Sequence, residues 1–303
     1  MDGSSSKALI AIWGLLAVVS GEILVTYSRL PAGELYNVSA SGLEGGASRV
    51  LVFLNFPVAL IAIGVVVVVA HRLRSAAAKA TALLAVLLCA AVFWPGVVDQ
   101  ADLDARPVNA LAALGVGLAF LVTVAGGGNH VRSRPAGDRL RVALAVGALV
   151  AALPWIAAEL GFYLDGVPLL GWLYRTGAPP HAGPVAAAAL ASVHHGHHHG
   201  MDGVLLVWSA LLLSRLLPPG RGAWRAVIAG YLALMLAYGA ANIANDFWLE
   251  QVVKRGWTTW AIPSVLQPRL EWAWGVIVAV ALGVWWVWFR DERAQPANPV
   301  GES

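Results

Sequence analysis

The chain has 303 residues, of which 59% are hydrophobic and 12% charged, and its formal net charge is +3. This composition excludes an ordinary soluble domain and is typical of a protein that crosses a membrane several times. The small charge, spread over short basic clusters, excludes a nucleic-acid-binding surface. The single cysteine, Cys89, excludes an intrachain disulfide and a thiolate metal site.

Eight apolar segments are long enough to cross a bilayer, which takes about 20 helical residues. We therefore predict one all-α membrane domain over 1–303, a bundle of eight transmembrane helices at residues 8–28, 49–70, 80–98, 107–125, 141–163, 201–217, 225–245 and 271–289. The first segment is interpreted as a retained helix, because it exceeds a signal-peptide core and lacks a convincing cleavage site.

Basic residues cluster in alternate loops, which the positive-inside rule assigns to the cytoplasm. The clusters lie at Lys7, 71–79, 130–141, 215–225 and 290–293. Both termini, including the tail 290–303, are then cytoplasmic, and the other four loops are extracytoplasmic. The abundance of Ala, Gly, Val and Arg favours a bacterial source and hence the cytoplasmic (inner) membrane.

The two halves of the chain share a short pattern. Glu22 and Tyr27 end the first predicted helix, as Glu159 and Tyr163 end the fifth. Each half then continues with a long outer loop followed by a shorter one. The pattern suggests a 4+4 internal duplication.

Polar side chains within the predicted helices concentrate in the outer half of the membrane. A charge at the bilayer centre costs about 2.5–3.5 kcal/mol on insertion scales, so such residues usually have a function or a partner. An interhelical hydrogen bond explains any one of them equally well. The group comprises Glu22, Asn55, Asn109, Glu159, Asn242, Asn245 and Asp246. The inner halves carry no charge, which favours an outward-facing pocket of half the membrane depth over a transport path.

The long outer loop 164–200, in which 167–174 and 185–193 are predicted interfacial or re-entrant helices, ends in a histidine tract. Five of the eight histidines lie between His194 and His199. In a helix, His194, His198 and Asp202 would share one face, with His195 and His199 beside them. Imidazole and carboxylate groups suit Zn²⁺, Fe²⁺ or Cu²⁺. We predict a divalent transition-metal site with Asp246 as a further ligand; a low-complexity tract without function is the alternative.

These patterns favour an integral-membrane metalloprotein, and an enzyme that acts on a lipid or lipid-linked substrate by hydrolysis or group transfer is the preferred function. Glu22 or Glu159 would act as a general base toward water at the metal. Side chains that would bind an anionic headgroup are Arg29, Arg49, Lys254, Arg255 and Arg269. Two alternatives remain: a metal-handling transporter or chaperone, and a non-catalytic subunit of a membrane complex.

Overall fold

The structure is a computed structural model that describes residues 4–29, 38–98, 104–126, 137–159, 164–174, 199–218, 222–266 and 271–290. Within these ranges it consists of helices and connecting turns, without strands, which confirms the all-α prediction there. The α-helices are α1 (Ser4–Arg29), α2 (Gly42–Phe53), α3 (Ala59–Val69), α4 (Ala76–Cys89), α5 (Pro107–Gly126), α6 (Asp138–Glu159), α7 (Gly171–Tyr174), α8 (His199–Ser214), α9 (Ala223–Trp248) and α10 (Trp272–Val284).

Six helical stretches are long and apolar enough to cross a membrane. They are Lys7–Arg29, Gly42–Arg72, Ala76–Phe93, Pro107–Gly126, Ala223–Val253 and Trp272–Phe289. The predicted multi-pass helical character is therefore supported. The remaining two predicted crossings coincide with α6 and with the shorter apolar helix Gly200–Ser214. The count of eight, the side on which the termini lie and the duplication stay predictions.

Two helical stretches extend further than the hydropathy pattern predicts. The second begins at Gly42 rather than at residue 49, so that Arg49 lies within α2. The seventh continues beyond residue 245 through α9 and the π-helical turn Leu249–Val253, which places Asp246 within the helical stretch rather than at its end. The predicted segment 167–174 contains the one-turn helix α7, and 185–193 lies outside the described residues.

Helix α3 forms the centre of the bundle. All its residues from Ala59 to Val69 are apolar, and every one except Val67 is buried. A helix that is apolar on all sides lies either against lipid or inside a protein core, and α3 contacts α4, α5, α8 and α9. The apolar inner half predicted from the sequence therefore lies in the core.

The end of the bundle opposite Asp202 is held together by arginines. Arg141 of α6 is buried; its Nε donates to Ser214 Oγ at 2.9 Å, and its guanidinium lies 4.8 Å from the centre of the Trp288 ring. Beside it, Arg215 pairs with Asp138 at 2.5 Å. Because these contacts join α6, α8 and the turn after α10, Arg141 fixes three elements at once.

Replacing Arg141 by alanine is expected to lower the free energy of unfolding by roughly 2 to 4 kcal/mol, the sum of a charged hydrogen bond and a cation–π contact. The measurement is the thermal unfolding midpoint of the purified protein in detergent. The exposed neighbour Arg139 provides the control, since Arg139→Ala removes the same charge from the same helix. An equal fall in both variants would contradict this role of Arg141.

Candidate functional site

Glycines bring α8 and α9 into backbone contact and thereby position two acidic side chains. A methyl group added to Gly203 would lie 2.6 Å from the carbonyl oxygen of Gly239, and one added to Gly239 would lie 2.7 Å from that of Gly203. Small residues at such a crossing allow membrane helices to pack backbone to backbone. Further along the same contact, a methyl group on Gly200 would lie 2.5 Å from Oδ2 of Asp246. The Asp246 carboxylate thus packs on the first turn of α8.

Asp202 lies in that first turn and is 5% exposed. Its carboxylate interacts electrostatically with Arg49 and with Asp246, and it lies within electrostatic range of Tyr238. Its Oδ1 atom is buried and has no hydrogen-bond partner among the described residues. A buried polar atom without a partner is costly and usually indicates a ligand, a water or a functional role. The structure therefore brings together three residues singled out in the sequence: Arg49, Asp202 and Asp246.

Helix α2 supplies the positive charge of this cluster. Gly46 packs against α1, where an added methyl group would lie 2.5 Å from the carbonyl oxygen of Leu24. One turn later, Arg49 is 6% exposed, and its guanidinium lies 5.6 Å from the centre of the Tyr27 ring. A buried guanidinium is stabilised by a neighbouring carboxylate and by an aromatic face. Arg49 has both, in Asp202 and Tyr27.

Glu22 belongs to the same end of the bundle. Helices α1 and α2 are consecutive and packed together, and Gly46 meets α1 between Leu24 and Ser28. With a rise of about 1.5 Å per residue in each helix, the antiparallel register sets Glu22 at about the depth of Arg49. Glu22 is 6% exposed, so it adds a third buried carboxyl group to those of Asp202 and Asp246.

The span Gly42–Arg72 is interrupted just below Arg49, a feature that the sequence analysis missed. Phe56 leaves the helical conformation, with φ −150° and ψ 123°, and Pro57 follows it. Proline has no N–H to donate to the preceding turn, which breaks the helical ladder. Asn55 is 1% exposed, and its Oδ1 has no hydrogen-bond partner within the described ranges. Interrupted helices at membrane depth are tolerated where they are buried in protein or line a cavity.

Other polar residues of the predicted group make structural hydrogen bonds. Asn109 Oδ1 accepts from the N–H of Arg106 at 2.6 Å and so caps α5. Asn245 Nδ2 donates to the Ile262 carbonyl at 2.7 Å, and Asn242 Nδ2 donates to the Tyr238 carbonyl at 2.9 Å. These amides stabilise the ends of helices and a loop, as interhelical and capping polar groups do.

The predicted headgroup-binding arginines are spread along this end. Arg255 donates to the Trp172 carbonyl and, at 2.8 Å, to Gln251 Oε1. Its guanidinium stacks 3.7 Å from the Trp172 ring centre, and burial lowers its pKa. Arg255 thus attaches α7 to the end of the α9 span. Arg29 is exposed at the end of α1, and Lys254 pairs with Glu250 at 2.7 Å.

Part of the predicted site lies beyond what the structure describes. His199 begins α8 and Glu159 ends α6, but their side chains lie outside the described set, as do His194, His195, His198 and Arg269. Among the described residues, His, Cys, Asp and Glu do not form a group of three or more that could hold a metal ion. The described part of the site is thus formed by Arg49, Asp202 and Asp246, which we call the charge cluster. Glu22 lies at about the same depth in the bundle.

Comparison with protein-family models, with curated proteins and with solved structures found no match for this chain.

Proposed function

We propose that this chain is an integral-membrane metalloprotein that holds a divalent transition metal, Zn, Fe or Cu, at the Asp202 end of its bundle. The observation that carries the proposal is the proximity of two buried acids. Asp202 lies in the first turn of α8, directly after the histidine tract, and the carboxylate of Asp246 in α9 packs on that turn. Buried carboxylates serve a metal either as ligands or as acceptors for the N–H of a ligating imidazole. The nitrogen ligands are His194, His195, His198 and His199.

The proposed activity is hydrolysis or group transfer on a lipid or lipid-linked substrate at the extracytoplasmic side of a bacterial inner membrane. The metal supplies a Lewis acid. Glu22 is the proposed general base and Glu159 the alternative, because a carboxylate near the metal could accept a proton from the attacking water. Arg49 is buried and interacts electrostatically with Asp202, and its guanidinium would bind an anionic headgroup bidentately. Arg29, Arg255 and Arg269 are proposed to contribute to headgroup binding from the periphery.

The apolar core supports an enzyme or a metal chaperone over a metal transporter. Helix α3, at the centre of the bundle, carries only apolar side chains from Ala59 to Val69. A transport path needs polar groups near the midplane and beyond it. A chemical step at one end of the bundle needs no such path.

The test of the reaction uses the purified protein in phosphatidylglycerol nanodiscs, with Zn²⁺, Fe²⁺ or Cu²⁺ added after treatment with a chelator. Mass spectrometry of the extracted lipids should detect a product that forms only with one of the metals and is lost in Glu22→Gln. The control is Glu44→Gln, which changes an exposed glutamate of α2. Metal binding without any change in the lipids would reject the reaction and leave metal handling as the function.

A further inference from the structure

An apolar cavity of about 200 Å³ lies beside the interruption between α2 and α3. Side chains from both sides of the interruption, from the end of the α4 span, from α9 and from α10 line it, among them Phe56, Leu60, Val92, Met235, Tyr238 and Trp274. The two tyrosines in its wall direct their hydroxyl groups to main-chain carbonyls: Tyr231 donates to Leu60 at 2.7 Å and Tyr238 to Leu266 at 2.9 Å. The wall therefore presents apolar surface to whatever occupies the cavity.

The cavity is accessible from the lipid-facing surface of the bundle. Phe93 and Leu234 belong to its lining and are 56% and 37% exposed. Leu234 lies within a helical stretch long enough to span a membrane, and Phe93 is the last residue of another. The opening therefore borders the hydrocarbon region of the bilayer, where lipid chains are the neighbouring molecules.

Helix α9 connects the cavity to the charge cluster. Tyr238 precedes Asp246 by eight residues, which corresponds to about 12 Å along the helix axis. Asn242 lies between them, and its side chain hydrogen-bonds the carbonyl of Tyr238. A lipid with one chain in the cavity would thus have its polar end at the level of Asp202 and Asp246.

The size of the cavity and the charge at its end restrict the ligand. Pockets for drug-sized ligands measure about 300–1,000 Å³, so this smaller cavity has room for part of one acyl chain rather than for a whole lipid. The guanidinium of Arg49 is suited to a phosphate. We infer that the cavity binds one acyl chain of a phospholipid whose phosphate headgroup lies at the Asp202 end of the bundle. That this lipid is the substrate rests on the proposed function. That the cavity binds an acyl chain does not depend on it.

The test is photo-crosslinking of the full-length protein in phosphatidylglycerol nanodiscs that contain a trace of phosphatidylglycerol with a diazirine in one acyl chain. Peptide mapping of the wild type should find the lipid attached to Met235, Tyr238 or Trp274. Met235→Trp should reduce that attachment by about tenfold, because an indole in a packed core fills the space that the chain requires. Val278→Trp, at a side chain of α10 that is 45% exposed, is the control and should leave the attachment unchanged.

Met235→Ala keeps the inference testable if the larger side chain prevents folding. It enlarges the cavity and should retain the attachment at Tyr238 or Trp274. Labelling spread evenly over lipid-facing residues, or insensitive to Met235→Trp in folded protein, would overturn the inference. The metal content of Met235→Trp should stay at the wild-type value. A loss of chain binding can therefore be distinguished from a loss of the metal site. Crosslinking in the cavity without lipid turnover would refute the proposed reaction and leave the chain site standing.

Discussion

Replacing Arg49 by methionine is expected to lower the free energy of unfolding by about 3 kcal/mol, because the buried polar groups around it lose the charge that faces them. Arg49 is 6% exposed, and the Asp202 carboxylate that it interacts with is 5% exposed. Without the guanidinium, the buried carboxyl groups of Asp202 and Asp246 would lie close together without a neighbouring positive charge, in a medium that screens charge weakly. The measurement is unfolding by sodium dodecyl sulfate in mixed micelles, followed by circular dichroism.

The double variant Arg49→Met with Asp202→Asn separates the charge interaction from packing. Removing the second charge should restore at least half of the lost stability, as a double-mutant cycle requires for residues that interact directly. Arg29→Met, at an exposed arginine of α1, is the control and should change stability by less than about 0.5 kcal/mol. Additive losses in the double variant would show that Arg49 and Asp202 are not coupled.

Replacing Gly239 by alanine is expected to destabilise the protein by about 1–3 kcal/mol, the usual cost of overpacking a well-packed core. The added methyl group would lie 2.7 Å from the carbonyl oxygen of Gly203. Both contacting groups belong to helix backbones, so relief requires α8 and α9 to move apart. Because the same contact places Asp246 on Gly200, the substitution should also weaken metal binding at the proposed site.

Gly230 offers a matched control on the same helix, because an added methyl group there meets nothing within 4 Å. Gly230→Ala should be neutral or should stabilise the protein by up to about 1 kcal/mol, the difference in helix propensity between glycine and alanine. The two substitutions are chemically identical and should have effects of opposite sign on the unfolding midpoint in detergent. Equal midpoints would contradict the close approach of α8 and α9.

The membrane-spanning helices and the members of the charge cluster were predictable because each depends on local chemistry. Long apolar runs have few alternatives to a membrane helix. An ionisable residue within such a run is expensive enough to stand out, and Asp246 was predicted in this way. Asp202 was predicted from its helical spacing to the histidine tract, and Arg49 from the group of arginines that would bind an anionic headgroup. The proximity of Arg49, Asp202 and Asp246 depends on how the helices pack, and a hydropathy average carries no information about packing.

Features that depend on contacts between helices escaped the sequence analysis. Pro57 was visible within an apolar run, but hydropathy averages conceal the interruption that it causes and the cavity beside it. The α9 span continues through Asp246 to Val253 although its polarity rises, because Asp246, Glu250 and Gln251 are buried by neighbouring segments. Arg255 was predicted to bind a headgroup. That role stays a prediction. What the structure shows for Arg255 is its contact with Trp172.

The most direct test of the metal site is elemental analysis of the protein purified in detergent, beside a variant in which His194, His198 and Asp202 are replaced by alanine. The proposal predicts about one equivalent of Zn, Fe or Cu in the wild type and a loss of most of it in the variant, because removing ligands at a site of this kind abolishes tight binding. The elution of both proteins as single folded species is the control. Equal metal content in the two proteins would contradict the site.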